Sequence, residues 1–372
     1  MMPPMKQSAA DIEDAWPTVL VALLERSPLV TDVLVETSVV GRDGSDSELD
    51  GDVTFKVAGE PHRLIVECKS SGQPRHVRGA IQQLGQAIFR AHELTRGLFV
   101  APFISPSVRE LLAQTNIGWL DLAGNARVVF PRLHLEVEKA DRDPFTTRRE
   151  QRSLFFPKSA RLLKVLLHHP QVPWKVTDLA EKAQVSLGQV SNVRRALIDR
   201  EWATAEAGEG LRLTQPDALL DAWRDDGLLP PSVALRGYTL KHGKALEAAI
   251  EAVFADPALN GDSRVLLASH SVARRAAPYA RIAGEFFYAS EVGIRLLKRH
   301  LDLATADKGE NITIYRPSDE GLWMETMKVS HDMMGTGPIQ TYLDLLTTGE
   351  RGREAAEHWR AERIKPLLAG VP

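Results

Sequence analysis

Residues 50–70 read DGDVTFKVAGEPHRLIVECKS, and this stretch decides how the first part of the chain folds. Two runs rich in valine, isoleucine, leucine and phenylalanine surround the segment 58–61, Ala-Gly-Glu-Pro, whose residue types are typical of turns. The pattern predicts a β-hairpin with a four-residue turn.

The register of this hairpin predicts which polar side chains meet. If Val57 pairs with His62, Asp52 lies directly opposite Glu67. Lys69, two residues beyond Glu67, lies on the same face because side chains alternate along a strand. We therefore predict that Asp52, Glu67 and Lys69 form one cluster.

Two opposed carboxylates repel each other, so this cluster favours a bound cation. Oxygen ligands with open water positions suit Mg²⁺, with Mn²⁺ as the alternative. Such an ion polarises a phosphate and activates water, while a neighbouring lysine offsets negative charge. The same spacing also occurs on the exposed polar face of an ordinary hairpin, so both interpretations stay open at this point.

The whole chain has the composition of a globular protein. Its 372 residues are 44% hydrophobic and 26% charged, which predicts two or three domains with their own cores. No run approaches the roughly 20 apolar residues of a membrane helix, and the first residues lack a signal-peptide pattern. A single cysteine, Cys68, excludes an internal disulfide framework and a cysteine-rich zinc module. We expect a cytoplasmic protein.

The elements around the hairpin resemble the PD-(D/E)xK restriction-endonuclease-like superfamily, and in particular its Mrr-like branch. An aspartate precedes a Glu-x-Lys strand, as in that superfamily. The following segments have the expected order of helix, strand, helix and strand pair: HVRGAIQQLGQAIFRAHEL (76–94), GLFVAPF (97–103), SPSVRELLAQT (105–115) and IGWLDLAGNARVVF (117–130). The resemblance covers about residues 30–135.

This resemblance implies a set of site residues. Asp52 and Glu67 would be the metal ligands, Lys69 the catalytic lysine, and Gln83 a further residue of the catalytic site. Gln82 competes with Gln83 for the last role. Many members of the superfamily keep the fold and only bind, so the resemblance alone does not imply cleavage.

Other acidic residues could take part. Asp50 would replace Asp52 as a ligand if the hairpin register slips by two residues, and Glu36 and Glu48 are lesser candidates. Gly51 stands before Asp52 where the superfamily often has proline.

The middle of the chain is basic. Residues 145–200 contain 11 lysines and arginines against four acidic residues, whereas the whole chain has a net charge of −3. A local excess of positive charge is typical of a surface that binds a polyanion, and also of an ordinary solvated surface.

Three helical patterns and a glycine turn follow one another in this basic region. They are SARLLKVLLHHP (159–170), TDLAEKAQ (177–184), SLGQVSNVRRALIDR (186–200) and the strand-like EWATAEAGEGLRLTQP (201–216). Thr177 and Ser186 are the predicted N-caps of the second and third helices. This order resembles the winged helix-turn-helix fold, which implies duplex DNA binding. A winged helix that binds protein is the alternative.

The third helix has a predicted apolar stripe and an outer polar face. The stripe consists of Leu187, Val190, Val193, Leu197 and Ile198. The outer side chains include types that hydrogen-bond base edges or phosphates. With a nearby lysine, the predicted DNA-binding residues are Lys175, Ser186, Gln189, Ser191, Asn192, Arg194 and Arg195.

The last part of the chain resembles AbiEi-like antitoxins of the type IV toxin–antitoxin class. The resemblance rests on PIQTYLDL (338–345), followed by GREAAE (352–357), behind a winged-helix pattern. It implies a DNA-binding autoregulator that neutralises a nucleotidyltransferase-like toxin.

Together these patterns predict a multidomain α/β and α+β protein. A restriction-endonuclease-like mixed sheet flanked by helices is expected over 1–140, a winged helix-turn-helix over 154–226, and an α+β domain over 232–372. The predicted function is Mg²⁺-dependent DNA cleavage targeted by the winged helix, in phage defence or a stress response. The alternative is a transcriptional regulator or antitoxin that does not cleave. Double-stranded DNA is the expected partner in both cases, and its pseudo-symmetry favours a homodimer.

Overall fold

The structure is a computed structural model of the full chain. It describes most of the 372 residues, namely 9–39, 49–91, 94–141, 143–145, 154–205, 210–261, 263–279, 283–305, 309–330 and 332–370. Within these ranges the chain divides into two compact units. The first comprises residues 1–150 with 197–201, and the second comprises 151–196 with 202–372.

A mixed β-sheet organises the first unit. Its described strands are β1 (Val30–Val39), β2 (Leu49–Val57), β3 (Glu60–Cys68), β4 (Thr95–Ala101), β5 (Gly118–Asp121), β6 (Ala126–Phe130) and β7 (Leu133–Val137). Neighbours in the sheet follow chain order. The three central strands β3, β4 and β5 are parallel, and the outer pairs are antiparallel. The carboxyl ends of the central strands therefore meet at one edge of the sheet.

Helices cover both faces of this sheet. They are α1 (Ala9–Leu24), α2 (Pro74–Phe89) and α3 (Pro106–Gln114). On one face Trp16 of α1 lies in a buried cluster with Leu64 and Val66, and on the other Leu84 of α2 lies in a cluster with Ile65. Because side chains alternate along β3, Glu67 lies on the same face as Ile65, the face that α2 covers.

Helix α1 includes Pro17 in its interior, although proline is well tolerated only in the first turn of a helix. The helix starts eight residues earlier and continues past the proline. Ile12, Trp16 and Leu20 are completely buried on both sides of Pro17. Their burial offsets the cost of a proline inside a helix, about 3 kcal/mol.

The hairpin of β2 and β3 forms as predicted, but its turn is shorter. Ala58 and Gly59 have φ values of +51° and +88°, and Val57 pairs with Glu60. Positive φ at both central residues defines a two-residue turn, the type whose twist suits a hairpin. The predicted four-residue turn and the pairing of Val57 with His62 are therefore wrong, and the register is shifted by two residues.

The second unit begins with three helices and a short hairpin. These elements are α4 (Pro157–His168), α5 (Val176–Ala183), α6 (Leu187–Asp199), β8 (Ala203–Thr204), β9 (Arg212–Leu213) and a further helix, α7 (Pro216–Asp226). A β-bridge joins Trp174 to Leu211. Helix α5 follows Lys175 rather than the predicted cap Thr177, whose hydroxyl donates to Asp178 instead. The assignment of this segment to the winged helix-turn-helix class stays a prediction.

A second mixed sheet follows. Its described strands are β10 (Ser232–Tyr238), β11 (Val265–Leu267), β12 (Glu285–Ala289), β13 (Ala304–Thr305), β14 (Ile312–Arg316), β15 (Thr326–Ser330) and β16 (Met333–Thr336). Their order across the sheet is β13-β10-β14-β12-β11-β16-β15. The accompanying helices are α8 (Gly243–Phe254), α9 (Ser269–Ala276), α10 (Glu291–His300), α11 (Pro338–Leu346), α12 (Glu350–Trp359) and α13 (Lys365–Leu368), with a 3₁₀ turn at Glu320–Met324 and a π turn at Arg360–Ile364.

Part-buried polar contacts join helix α4 to segments that flank the second sheet. Arg161 donates two hydrogen bonds to Asp319, at 2.6 and 2.9 Å, and Lys164 donates to Gln340 at 2.6 Å. These contacts help explain why α4 and the C-terminal sheet fall in one compact unit. The domain boundaries 1–140, 154–226 and 232–372 stay predictions. Among the described residues, every helix is too short or too polar to span a lipid bilayer.

Candidate functional site

The predicted acidic site lies at the carboxyl end of β3. Glu67 is opposite Phe99 of the parallel strand β4, and the backbone N–H of Lys69 donates to Val100 at 2.9 Å. The pairing with β4 thus continues past Glu67 and fixes the backbone on both sides of it. In open sheets with parallel strands, this edge is where ligands commonly bind.

Glu67 is a buried carboxylate with an incomplete set of partners. Its residue is only 2% exposed. Oε1 accepts a hydrogen bond from the ammonium of Lys69, whereas Oε2 has no hydrogen-bond partner among the described residues. Burial raises the pKa of the Glu67 carboxyl, Lys69 opposes this shift, and the charge of Asp50 adds to it. Glu67 and Lys69 are therefore brought together as predicted.

Asp50 is the second carboxylate near this position. One step beyond the last ladder pair, Gly51 with Val66, the same register brings Asp50 opposite Glu67. The carboxylate of Asp50 accepts a hydrogen bond from the backbone N–H of Cys68 at 2.6 Å. This contact orients Asp50 beside Glu67, which is the arrangement expected for a register slipped by two residues.

Asp52 has a different position from the one predicted. It pairs with Ile65 rather than Glu67. The Nε of Arg63 lies 2.9 and 2.8 Å from its two carboxylate oxygens, and a second guanidinium nitrogen of Arg63 also donates to it. The argument that Asp52 and Glu67 face each other and require a shared cation is therefore wrong. Sequence reasoning missed Arg63, although a two-residue turn would have put it diagonal to Asp52.

Gly51 separates the two aspartates for a steric reason. A Cβ at this position would lie 2.4 Å from an indole carbon of Trp16 and 3.3 Å from the carbonyl oxygen of Glu36. Any other residue would collide with the ring. The absence of proline before Asp52 thus follows from the packing of α1 on the hairpin.

The remaining predicted site residues are not joined to this cluster. Gln83 is exposed on α2, like Gln82, and among the described side chains no hydrogen bond links it to Glu67 or Lys69. Its catalytic role stays a prediction. Glu36 is exposed on β1 opposite Asp52. Glu48 lies outside the described residues.

A nearby buried aspartate shows what a complete hydrogen-bond set looks like. Asp121, at the end of β5, accepts hydrogen bonds from the backbone of Ile104 at 3.1 Å and from the backbone and side chain of Asn125, both at 2.8 Å. Arg109 and Asn125 both donate hydrogen bonds to the carbonyl of Ala140, which follows β7. Asp121 is thereby explained as a structural residue.

The donor set at Glu67 fits a hard divalent cation held by few protein ligands. Within the described ranges, no group of three or more His, Cys, Asp or Glu side chains is arranged to hold a metal. Mg²⁺, however, keeps several waters and is commonly bound by one or two carboxylates together with substrate phosphate. Asp50 and the unsatisfied Oε2 of Glu67 supply such a pair.

The predicted DNA-binding face on α6 is mostly exposed. Lys175, Ser186, Ser191, Asn192 and Arg195 are exposed, and Arg194 is half-buried. The Ser186 hydroxyl accepts from the backbone N–H of Gln189 at 3.2 Å, so the predicted cap of this helix is present. The Ser191 hydroxyl donates to the Leu187 carbonyl at 3.0 Å. The structure thus places most of the predicted side chains where a ligand could reach them.

Two residues of α6 differ from expectation. The side-chain amide of Gln189 donates to the hydroxyl of Ser159 on α4 at 2.7 Å, so it is turned toward the helix bundle. Leu187, expected in the apolar stripe, is the first residue of the helix and is 54% exposed. Val190 and Val193 are buried as predicted.

The residues that carry the antitoxin resemblance have structural contacts. Asp344 accepts hydrogen bonds from the Tyr288 hydroxyl at 2.9 Å and from Gln340 at 2.7 Å. A Cβ at Gly352 would lie 2.0 Å from the Thr348 hydroxyl, so α11 and α12 require glycine where they meet. These contacts explain the residue types without a partner, and the antitoxin role stays a prediction.

Comparisons with known proteins give little further information. No known family profile and no curated protein matches the chain. The crystal structure of a repair endonuclease from Pyrococcus abyssi aligns with a TM-score of 0.23 and 17% identity, over 31% of this chain and 47% of that one. The matched part spans about half of that protein, and a likeness of this size carries no argument about function. Any function assigned to the chain therefore depends on the geometry of the site.

Proposed function

We propose that the first unit hydrolyses phosphodiester bonds of DNA with a divalent cation held by Asp50 and Glu67. The observation that carries this proposal is the buried Oε2 of Glu67, which lacks a hydrogen-bond partner in the described part of the chain. An unsatisfied buried polar group costs about 1–3 kcal/mol. A bound cation would satisfy this oxygen, and the neighbouring charge of Asp50 favours a cation as the ligand.

The cation, Mg²⁺ or Mn²⁺, would polarise the scissile phosphate and supply activated water. The residues of the chain have separate tasks in this scheme. The backbone N–H of Cys68 holds the carboxylate of Asp50 in place. Glu67 orients the ammonium of Lys69, which would offset the negative charge that develops on the phosphate oxygens.

We further propose that residues 154–226 bind duplex DNA through the exposed side chains of α6. Asn192 and Arg195 are exposed one helical turn apart, and both types can form paired hydrogen bonds with base edges. Lys175, also exposed, is suited to a phosphate contact. Binding here would bring DNA to the same chain that carries the candidate cleavage site.

A cleavage assay on the full chain tests the proposal. Supercoiled plasmid and linear duplex DNA are incubated with Mg²⁺ or Mn²⁺, or with a chelator, and Mn²⁺ binding is measured separately by calorimetry without DNA. Glu67→Gln should lower the cleavage rate by roughly 10²-fold or more and weaken Mn²⁺ binding. Glu60→Gln, which changes an exposed carboxylate at the turn of the same hairpin, is the matched control and should alter neither.

Wild-type protein that neither binds Mn²⁺ nor cleaves DNA would contradict the proposal. If such protein still binds duplex DNA, the non-cleaving regulator becomes the better description of the chain.

A further inference from the structure

One large apolar side chain lies on the otherwise polar exposed face of α6. Leu187, the first residue of the helix, is 54% exposed. The other exposed residues of α6 are Gly188, Ser191, Asn192 and Arg195. Residues three and four positions apart are neighbours on a helix surface, so these four residues form one face and Leu187 lies at its edge, next to Ser191.

The protein itself gives no steric reason for glycine at position 188. Glycine destabilises a helix relative to alanine. Apart from the backbone of the helix, the heavy atom closest to a Cβ at Gly188 would be the Ser186 hydroxyl, at 4.0 Å. A Cβ at Gly51 or Gly352, by contrast, would lie no more than 2.4 Å from a neighbouring side chain. Gly188 and Arg195 are seven residues apart and share one line of the helix, so this line has no side chain in its first turn. A ligand can therefore approach the helix backbone closely there.

The chemistry of this face suits duplex DNA better than a protein partner. Residues 186–198 include Arg194 and Arg195 and no acidic residue. A single leucine among polar side chains is far smaller than the apolar centre of a protein–protein interface. The major groove of DNA, however, offers apolar surface at the methyl group of each thymine, beside the donors and acceptors of the base edges. One leucine with polar neighbours matches that pattern.

We infer that Leu187 contacts the methyl group of a thymine in the major groove, and that Gly188 allows the first turn of α6 to approach the base edges. This inference rests on the proposed DNA binding of residues 154–226 and adds a sequence preference to it. Leu187 and Arg195 are eight residues apart, which is about 12 Å along a helix, or about three to four base pairs. Because arginine pairs with guanine, the preferred site should hold a thymine within about four base pairs of a guanine.

Removal of single thymine methyl groups from the DNA tests this inference. The full chain first selects short duplexes from a random-sequence library, with a chelator present so that no metal-dependent cleavage occurs. Each thymine of the selected site is then replaced in turn by deoxyuridine, which lacks only the methyl group, and affinities are measured by gel shift. Replacement of the contacted thymine should weaken binding about fourfold, which corresponds to about 0.8 kcal/mol for one buried methyl-sized group.

Three variants identify the side chain that makes the contact. Leu187→Ala should weaken binding to the thymine duplex by at least about the same factor and should bind the thymine and deoxyuridine forms equally. Leu240→Ala, which changes an 81% exposed leucine after β10, is the matched control and should keep the wild-type preference. Gly188→Ala should lose duplex affinity without a decrease in Tm, because the added methyl group meets no close neighbour in the protein.

The outcomes separate this inference from the proposed function. Equal affinity of the wild type for all thymine and deoxyuridine duplexes would overturn it while leaving DNA binding intact. An undiminished thymine preference in Leu187→Ala, or full affinity in Gly188→Ala, would overturn it as well. If the wild type binds no duplex at all, the proposed DNA binding is contradicted, and this inference with it.

Discussion

Exchanging each aspartate of the Asp-Gly-Asp sequence for asparagine should separate metal binding from stability. Asp52→Asn removes the charge that Arg63 contacts through Nε at 2.9 and 2.8 Å. A hydrogen bond to a charged group contributes about 1.5–3 kcal/mol. Because the Arg63 side chain is 31% exposed, solvent screens part of this. We expect a loss of about 1–2 kcal/mol in the free energy of unfolding of the first unit.

Asp50→Asn should leave the stability of the first unit nearly unchanged and should impair metal binding. The asparagine side-chain oxygen can still accept the hydrogen bond from the Cys68 backbone, so stability should change by less than about 0.5 kcal/mol. Removal of the negative charge beside Glu67 should weaken Mn²⁺ binding and lower DNA cleavage by roughly 10²-fold or more. The two substitutions are isosteric and two residues apart on the same strand, so each is the matched control for the other.

Scanning calorimetry and Mn²⁺ titration decide between these patterns. A loss of 1–2 kcal/mol corresponds to a decrease in Tm of about 4 °C for a unit of this size. Asp52→Asn should therefore melt earlier and bind Mn²⁺ normally, whereas Asp50→Asn should melt normally and bind Mn²⁺ poorly. If Asp52→Asn loses Mn²⁺ binding while still folded, and Asp50→Asn keeps it, the assignment of Asp50 as the ligand is refuted.

Two further predictions concern the second unit. Burial raises the pKa of the Asp344 carboxyl to about 7 from an ordinary value near 3.8. Between these two pH values the folded state keeps a proton that the unfolded chain has released. The free energy of unfolding should therefore fall as pH rises, by at most about 1.4 kcal/mol per pH unit. Urea denaturation between about pH 5 and 7 should show this slope in the wild type and a smaller one in Asp344→Asn, and equal slopes would contradict it. Arg195→Ala should weaken duplex DNA binding about tenfold in a gel shift. Gln189→Ala should have little effect because that amide is bonded to Ser159, and the reverse order would contradict the assigned DNA-binding face.

The first sheet could be predicted from sequence to a large extent because its signals are local. The hairpin, the strands that follow it and helices α2 and α3 all appear where alternation and helical spacing indicate them. The turn was misjudged because Ala58 is an unusual residue for positive φ, and only its neighbour Gly59 signalled a tight turn. A shift of two residues keeps every side chain on its face, since strands have a period of two. An aspartate therefore still lies opposite Glu67, but it is Asp50 rather than Asp52.

The polar contacts of the second unit could not be predicted in this way. Lys164 meets Gln340 and Glu325, which are more than 150 residues away in sequence. No periodicity within α4 distinguishes a lysine that will be buried against a distant sheet from one that will face solvent. The direction of Gln189 depends in the same way on Ser159 of another helix. Such contacts are decided by the packing of whole elements rather than by local pattern.

Three buried carboxyl groups in the described part of the chain, those of Glu67, Glu325 and Asp344, each leave one oxygen without a hydrogen bond. The groups around each carboxyl differ, and they decide how the oxygen without a hydrogen bond is compensated. The hydrogen bonds that Asp344 accepts come from the uncharged Tyr288 and Gln340, and its pKa is raised to about 7, so a proton can complete it near neutral pH.

The other two groups are held differently. Glu325 is kept ionised by Lys164 and His168, and the Lys164 ammonium lies 3.3 Å from the oxygen that has no hydrogen bond. Glu67 lies between one ammonium, that of Lys69, and the second carboxylate of Asp50. Under the proposed function, one divalent cation would neutralise both carboxylates together. The same unsatisfied oxygen is therefore compensated in different ways: by the Lys164 ammonium at Glu325, by titration at Asp344 and, in the proposed function, by a cation at Glu67.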